Sequence, residues 1–265
     1  MNLHCLGTAG YHPSETRHTS CYVLPDCGIV LDAGTGMFRL GQHVRTRSLD
    51  ILLSHAHLDH VVGLTFLLGV AHQRSQAEQS LESIRVWGQS EKLQAIQQHL
   101  LDEYLFPAPL PIVWCDIDST PSFQIRPMQS DGQHGEVVDV SWRPQTHPGE
   151  SVAYRLETNI EGKTCSLVYA TDTTGASDPE TLQWMSGVDL LLHECNFRSH
   201  QREWAEKTGH CWLPKAAEVC RASRPSRVVL THVDPTDELR DEDLVGHFAM
   251  PTCIAADGME VRFGI

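Results

Sequence analysis

Among nine cysteines the sequence has no C-x-x-C pair, and an odd number without such pairs fits neither a disulfide framework nor a structural zinc ribbon. The thiols are expected to be reduced and mostly buried. No run of Lys and Arg occurs, and the formal net charge is -14. That balance works against tight binding to a long polyanion, whose non-specific affinity comes from basic side chains neutralising phosphates. The longest apolar stretch, near 61–71, is too short to span a bilayer and is interrupted by Gly63, Thr65 and Gly69. The opening MNLHCLGTAG has no basic n-region and no long apolar core, so it does not read as a secretory signal and a cytoplasmic location is expected. Short-period repeats, low-complexity tracts and long linkers are missing too, and 1–265 is read as a single domain.

What is present is an ordinary globular composition, 41% hydrophobic and 20% charged, with sixteen histidines. The histidines put metal chemistry first among the readings to test, and their spacing decides it.

Residues 1–50 read as strands and turns: LHCLG, a Gly- and Pro-containing loop, then CYVL and GIVLDAGTG. ILLSH is a short apolar strand, and the apolar segment from Val61 to Ala71 opens a helix. Leu93, Ile96, Leu100, Leu101 and Leu105 give residues 90–105 a helical period with Ser90 as N-cap, and PAPLP then breaks the chain. Short β-like runs fill 111–171, from IVWCDI to CSLVYA. DLLLHE follows as a strand, then a helix containing KAAEVCRA, the strand RVVLTH, a last helix around DEDLVGHF and a closing strand, MEVRFG. Two mixed β/α halves imply two facing mixed sheets with helices outside.

The most informative residues are Ser54-His55-Ala56-His57-Leu58-Asp59-His60, placed where an apolar strand ends. His55 and His57, two apart on an extended chain, point the same way, so both imidazoles can reach one ion. Asp59 and His60 lie past the turn and can serve a second. Three histidines and an aspartate at this spacing do not read as an ordinary polar loop.

This segment resembles the H-x-H-x-D-H signature of the metallo-β-lactamase superfamily, and the resemblance extends along the chain through LGTAG with TSCYVL, LDAGTG, THPGESVAYR, VYATDTT, VVLTH and ADGMEV. It implies an α/β, four-layered αββα sandwich. It also implies two divalent ions: His55, His57 and His147 on one, Asp59, His60 and His232 on the other, and Asp172 bridging both. A shared carboxylate suits two dications held ~3.5–4 Å apart. Zinc is the expected metal, and the donor set also suits manganese or iron. Asp32 is expected to orient the loop beneath the ions without ligating them. The resemblance suggests a homodimer.

The superfamily hosts several hydrolytic reactions, so other residues must name the substrate. Glu194, at the end of LLLHE, and His210, in TGHCW, resemble the Glu–His pair of ribonuclease Z and related phosphodiesterases. A phosphodiester expels an alkoxide, a poor leaving group that an imidazolium can protonate while a carboxylate orients its ring. The reaction implied is attack by a bridging hydroxide, with His210 as general acid, Glu194 as its orienter and Asp59 at the reacting centre. Ribonuclease Z members carry a tRNA-gripping arm between the third histidine and the bridging aspartate; here RLETNIEGKTCSLVYA alone fills that interval. With LDAGTG in place of the family's D-C-G-E-G-T and the acidic charge, this favours a small or cyclic phosphodiester over long nucleic acid. A ribonuclease is the first alternative. A lactonase or thioesterase is the second, disfavoured because THPGES stands where such members have T-P-G-H-T. His4, His43, His72 and His99 have no spacing partner; His12 and His18 could touch substrate, and Trp204 and Trp212 could line the pocket near His210.

Overall fold

The computed structural model describes residues 1–264, arranged as two seven-stranded mixed sheets packed face to face. The first holds β1 (Asn2–Gly7), β2 (Cys21–Leu24), β3 (Ile29–Leu31), β4 (Ser48–Leu52), β5 (Ser83–Gly88) and β6 (Ile112–Asp116). The second holds β7 (Ser122–Ile125), β8 (Val138–Gln145), β9 (Ser151–Ile160), β10 (Lys163–Ala170), β11 (Leu190–Glu194), β12 (Val228–Thr231) and β13 (Thr252–Ile254). The chain then returns to the first sheet, where β14 (Glu260–Arg262) pairs with β1.

Both sheets begin antiparallel and end parallel. In the first, β14 through β3 pair antiparallel, and β3 to β6 run parallel. In the second, β7 through β10 pair antiparallel, and β10 to β13 run parallel. The parallel strands need crossovers, and these supply the outer layers. On the first sheet lie a 3-10 helix (Thr35–Gln42), α1 (Leu58–Val61), α2 (Leu67–Gln76) and α3 (Ser90–Ala95). On the second lie α4 (Pro179–Trp184), α5 (Arg202–Thr208) and α6 (Leu213–Ser223). The expected αββα sandwich is what the chain forms.

Side-chain alternation on the strands produces the layers. Leu167 and Tyr169 face the core between the sheets with Leu3, Tyr22 and Tyr154, whereas Val168 and Ala170 face the helices with Ala216, Val219 and Cys220. β11, flanked on both faces, is buried at all five residues, the pattern of a central parallel strand. On α6, Leu213, Ala216, Ala217 and Cys220 form the single buried stripe that a helix lying on a sheet needs. Each such side chain withdrawn from water contributes roughly 1.5–3 kcal/mol when it is a Val, Leu or Ile.

Three local expectations are corrected. Gln89, not Ser90, precedes the first turn of α3, and the Ser90 amide donates instead to Asp118 Oδ2 at 2.9 Å. The α-helix stops at Ala95 and widens into a π turn over Ile96–Leu100, so it does not reach Leu105. Around DEDLVGHF only a 3-10 turn, Asp241–Leu244, forms, because Gly246 takes a φ of 79° that no helix continues through. The interval between His147 and Asp172 is a bare hairpin of β9 and β10, closed by Glu161 and Gly162 at φ 51° and 81°, as a tight two-residue turn requires. All nine cysteines are free thiols, six of them buried. No helix among the described residues is long and apolar enough to cross a membrane.

Candidate metal centre

The carboxyl ends of the parallel strands in both sheets meet at one edge, the usual place for a site in such sheets. Beyond β4, Ser54 fixes the loop: its amide and hydroxyl donate to Asp32 Oδ1 at 2.7 Å and Oδ2 at 2.8 Å. The Val152 amide donates to Ser54 O at 2.9 Å, tying this loop to the second sheet. The chain stays extended through His57 (φ -67°, ψ 149°) and then turns into α1. His55 and His57 therefore precede the turn, and Asp59 and His60 lie on it.

The second sheet contributes one side chain per strand end. His147 precedes β9, Asp172 follows β10, Glu194 closes β11 and His232 follows β12. Asp172 and His232 hold left-handed backbone, φ 48° and 54°, and so does Asp32 beyond β3, at 57°. Such a conformation costs a non-glycine residue of order 1–3 kcal/mol and persists where its surroundings over-determine it. Here it turns each side chain sharply inward at the end of its strand.

The seven residues named from the sequence converge. Asp172 Oδ1 lies 3.7 Å from His55 Nε2 and 3.4 Å from His147 Nε2, while its Oδ2 lies 3.1 Å from His60 Nε2 and 3.3 Å from His232 Nε2. One carboxylate thus turns one oxygen to each set of imidazoles. His57 Nδ1 stands 3.3 Å from His147 Nε2, and Asp59 Oδ2 stands 3.3 Å from His60 Nε2 and 3.4 Å from His232 Nε2. His55, His57, His147 and Asp172 form one group able to hold an ion, and Asp59, His60 and His232 a second.

The nitrogens fit a cation better than they fit one another. His60 Nε2 and His232 Nε2 face each other at 3.2 Å, and the buried Nε2 of His55 has no hydrogen-bond partner at all. A buried polar atom left unpaired costs about 1–3 kcal/mol, which a cation accepting these lone pairs would remove. The opposite ring nitrogens are occupied: His60 Nδ1 by Asp32 Oδ2 at 2.7 Å, His55 Nδ1 by Ser54 Oγ at 3.0 Å, His147 Nδ1 by the Gly209 carbonyl at 3.0 Å. Such outer contacts set the tautomer of a metal-binding imidazole.

Charge follows the same division. Burial, against the pull of Asp172, holds His55 well below the usual histidine range, and burial lowers His57 and His147 too. A lowered value favours the neutral ring, the form in which imidazole binds a metal. For His60 burial works the same way but is outweighed by Asp172, Asp59 and Asp32, which hold it well above that range. Burial would raise Asp172, yet His232, His60 and His55 keep its carboxyl far below the ordinary range.

Glu194 and His210 meet at the rim. His210 Nδ1 lies 3.0 Å from Glu194 Oε2, and the Cys211 amide donates to the other oxygen, Oε1. Burial would lower His210, but Glu194 and then Asp172 and Asp59 outweigh it and raise the imidazole to about 9. His210 also lies in the wall of a cavity of about 450 Å³ whose other walls include Tyr11, Asn196, Phe197, Trp204 and Asp234.

Of the peripheral candidates, Trp204 borders this cavity and Trp212 does not. His18 packs on Phe38, its ring centroid 4.8 Å away, and His12 on Tyr11. Sequence reasoning missed Tyr11, whose amide donates to Asp59 Oδ2 at 2.8 Å, and Asn196, whose amide lies 3.0 Å from His232 Nδ1. It also missed Tyr169, whose hydroxyl donates to Asp32 Oδ2 at 2.6 Å. Asn196 stands two residues beyond Glu194, so the same strand end pointed to it; nothing in the local sequence pointed to Tyr11 or Tyr169.

Residues 23–233 match the beta-lactamase superfamily domain. Ribonuclease Z of Gemmatimonas aurantiaca is 24% identical over 310 aligned residues, covering 98% of this chain and 95% of that protein. The alignment is longer than this chain, so that relative carries stretches absent here. Among solved structures, the metallo-beta-lactamase fold protein YhfI of Bacillus subtilis superposes with a TM-score of 0.73 at 18% identity, covering 98% of this chain and 99% of its own. The short form of human tRNase Z superposes with a TM-score of 0.69 at 21% identity, covering 100% of both chains.

Proposed function

The chain belongs to the beta-lactamase superfamily and is a metal-dependent hydrolase, and on that premise we propose that its substrate is a small or cyclic phosphodiester. His55, His57 and His147 would hold one divalent ion, Asp59, His60 and His232 the other, and Asp172 one oxygen on each. Histidine and carboxylate donors of this kind suit zinc first. Two such ions would supply Lewis acidity toward a phosphoryl oxygen and toward an attacking water.

The protein's own part in the reaction centres on one proton. Glu194 would hold the Nδ1 proton of His210, which leaves Nε2 as the ring nitrogen to act on substrate. With its imidazole raised to about 9 by Glu194 and then Asp172 and Asp59, His210 would carry a proton on Nε2 and give it to the departing oxygen as a water-derived oxygen bonds to phosphorus and the P–O bond to the leaving alcohol breaks. Cys211 N–H and the His210 ring fix both oxygens of Glu194, so the pair keeps its aim. A carbonyl hydrolase acting on a thioester has a better leaving group and no equal need of this acid.

The Glu194–His210 contact is the observation that carries the reading. It is tested with zinc- or manganese-loaded protein on bis(p-nitrophenyl) phosphate, 2′,3′-cyclic nucleotides and a precursor tRNA transcript. His210→Ala should slow an alkyl-leaving-group diester by ~10²–10⁴-fold and a nitrophenyl diester far less. Equal losses on both would remove the acid role.

The relatives named ribonuclease Z favour a second reading, RNA cleavage. The bare β9–β10 hairpin, the stretches missing against that relative and the net charge of -14 support the small diester instead. Faster turnover of the tRNA transcript than of cyclic nucleotides would reverse the order.

A further inference from the structure

Because His210 would protonate the departing oxygen, the space beyond it is where the leaving group lies. That space is the cavity of about 450 Å³, ample for one ring system with a sugar and small for an oligonucleotide. Three of its lining side chains are aromatic: Tyr11, Phe197 and Trp204. Phe197 is buried, with its ring centroid 6.1 Å from that of His210, whereas Trp204 on α5 is 52% exposed and Tyr11 is 80% exposed. Lys207 Nζ stands 5.0 Å from the Trp204 ring centroid and His12 meets the Tyr11 ring edge-on at 5.0 Å, yet both side chains keep half or more of their surface in water for a ligand to cover.

Tyr11 is held there deliberately. It has left-handed backbone, φ 63°, and its amide donates to Asp59 Oδ2 at 2.8 Å. The strained residue that presents this ring is anchored on one of the proposed metal-holding carboxylates. On another wall, Asp234 has Oδ1 engaged by the Thr236 amide at 2.8 Å and hydroxyl at 2.7 Å, and among the described residues no Lys or Arg pairs with its carboxylate.

We propose that this cavity is the leaving-group subsite, that it takes an uncharged planar group such as a nucleoside stacked on Trp204 and Tyr11, and that Asp234 disfavours any leaving group bearing a further phosphate. The inference rests on the phosphodiesterase reading and names its substrate class: a diester whose departing group is an aliphatic alcohol carrying a neutral aromatic or heteroaromatic ring.

Two substrates that share a five-membered cyclic phosphate separate the ring's contribution from the chemistry: 2′,3′-cyclic AMP, which carries a nucleoside, and ethylene phosphate, which does not. Trp204→Ala should lower the ratio of their kcat/KM values about tenfold, the size of one base stacked on one aromatic ring. Tyr11→Gly, which tolerates the left-handed backbone and keeps the amide donor to Asp59, should lower it severalfold. Asp234→Asn should raise kcat/KM on the 5′-phosphorylated cyclic nucleotide severalfold relative to the unphosphorylated one. Adenosine titrated into the metal-loaded protein should quench tryptophan fluorescence, and Trp204→Ala should abolish the quenching. Diester hydrolysis with ratios unchanged in all three variants and no quenching overturns the subsite and leaves the phosphodiesterase reading standing. Trp204-dependent quenching without hydrolysis of any diester retains the subsite and removes that reading.

Discussion

Asp32 and Asp172 occupy matching places in two matching sheets. Each follows the strand at which the antiparallel part of its sheet gives way to the parallel part, β3 in one and β10 in the other, and both are buried with left-handed backbone. They even share a partner: His60 gives Nδ1 to Asp32 Oδ2 at 2.7 Å and turns Nε2 to Asp172 Oδ2 at 3.1 Å. Their surroundings divide them. Asp32 accepts from four donors, the Ser54 amide on Oδ1 and the Ser54 hydroxyl, Tyr169 hydroxyl and His60 ring on Oδ2, and so is held by protein hydrogen bonds on both oxygens. Asp172 accepts one hydroxyl, from Thr171 at 2.7 Å, and otherwise faces the free nitrogens of imidazoles. The same backbone device thus yields a brace in one sheet and, in the other, the carboxylate we propose as the shared metal ligand, and the neighbouring donors decide which.

Replacing each carboxylate sharpens the contrast. Asp172→Ala removes the one group that touches both imidazole sets, and turnover should fall by more than the roughly 100-fold that loss of an outer partner costs. Asp32→Ala leaves every ligand in place and frees His60 Nδ1; zinc affinity should fall about 10–100-fold, mainly for the His60 and His232 set, as measured by competition with a chromophoric chelator. Ser54→Ala removes a contact to His55 and only one of the four donors to Asp32, so it should cost the His60 and His232 set less than Asp32→Ala does. Equal losses at both sets in Asp32→Ala would break the comparison.

The smallest expected effect belongs to the rim. In metal-free protein His210 is raised to about 9 from an ordinary value near 6.5 by Glu194, so the pair adds stability that is fully present below about pH 6.5 and is lost as pH rises through about 9. The Tm gap between the wild type and His210→Gln should therefore narrow from pH 7 to pH 10. A gap that widens over that range would contradict the pairing.

The two sheets also differ in how openly the sequence displays them. The first puts four metal-capable side chains into one loop, His55 to His60, where spacing alone exposes their common purpose. The second distributes His147, Asp172 and His232 over three strand ends, each an isolated polar residue until register brings the ends together; only resemblance to a family linked them beforehand. Glu194 and His210, sixteen residues apart, are joined by the path of α5, which no local period announced. Short elements were the least visible: β13 has three residues, too few for an alternating pattern, and the helix after Ser90 loosened where a regular period would have continued it. Tyr169 was hidden because a strand tyrosine reads as core, and its ring is indeed core while its hydroxyl serves Asp32.

Metal content tests the central claim most directly, because one carboxylate, Asp172, is argued to join two half-sites into one dinuclear centre. Zinc-saturated wild-type protein, dialysed and measured by mass spectrometry of the metal, should carry two ions per chain, and Asp172→Ala no more than one. Two ions retained in Asp172→Ala, or a single ion in the wild type, would contradict the account.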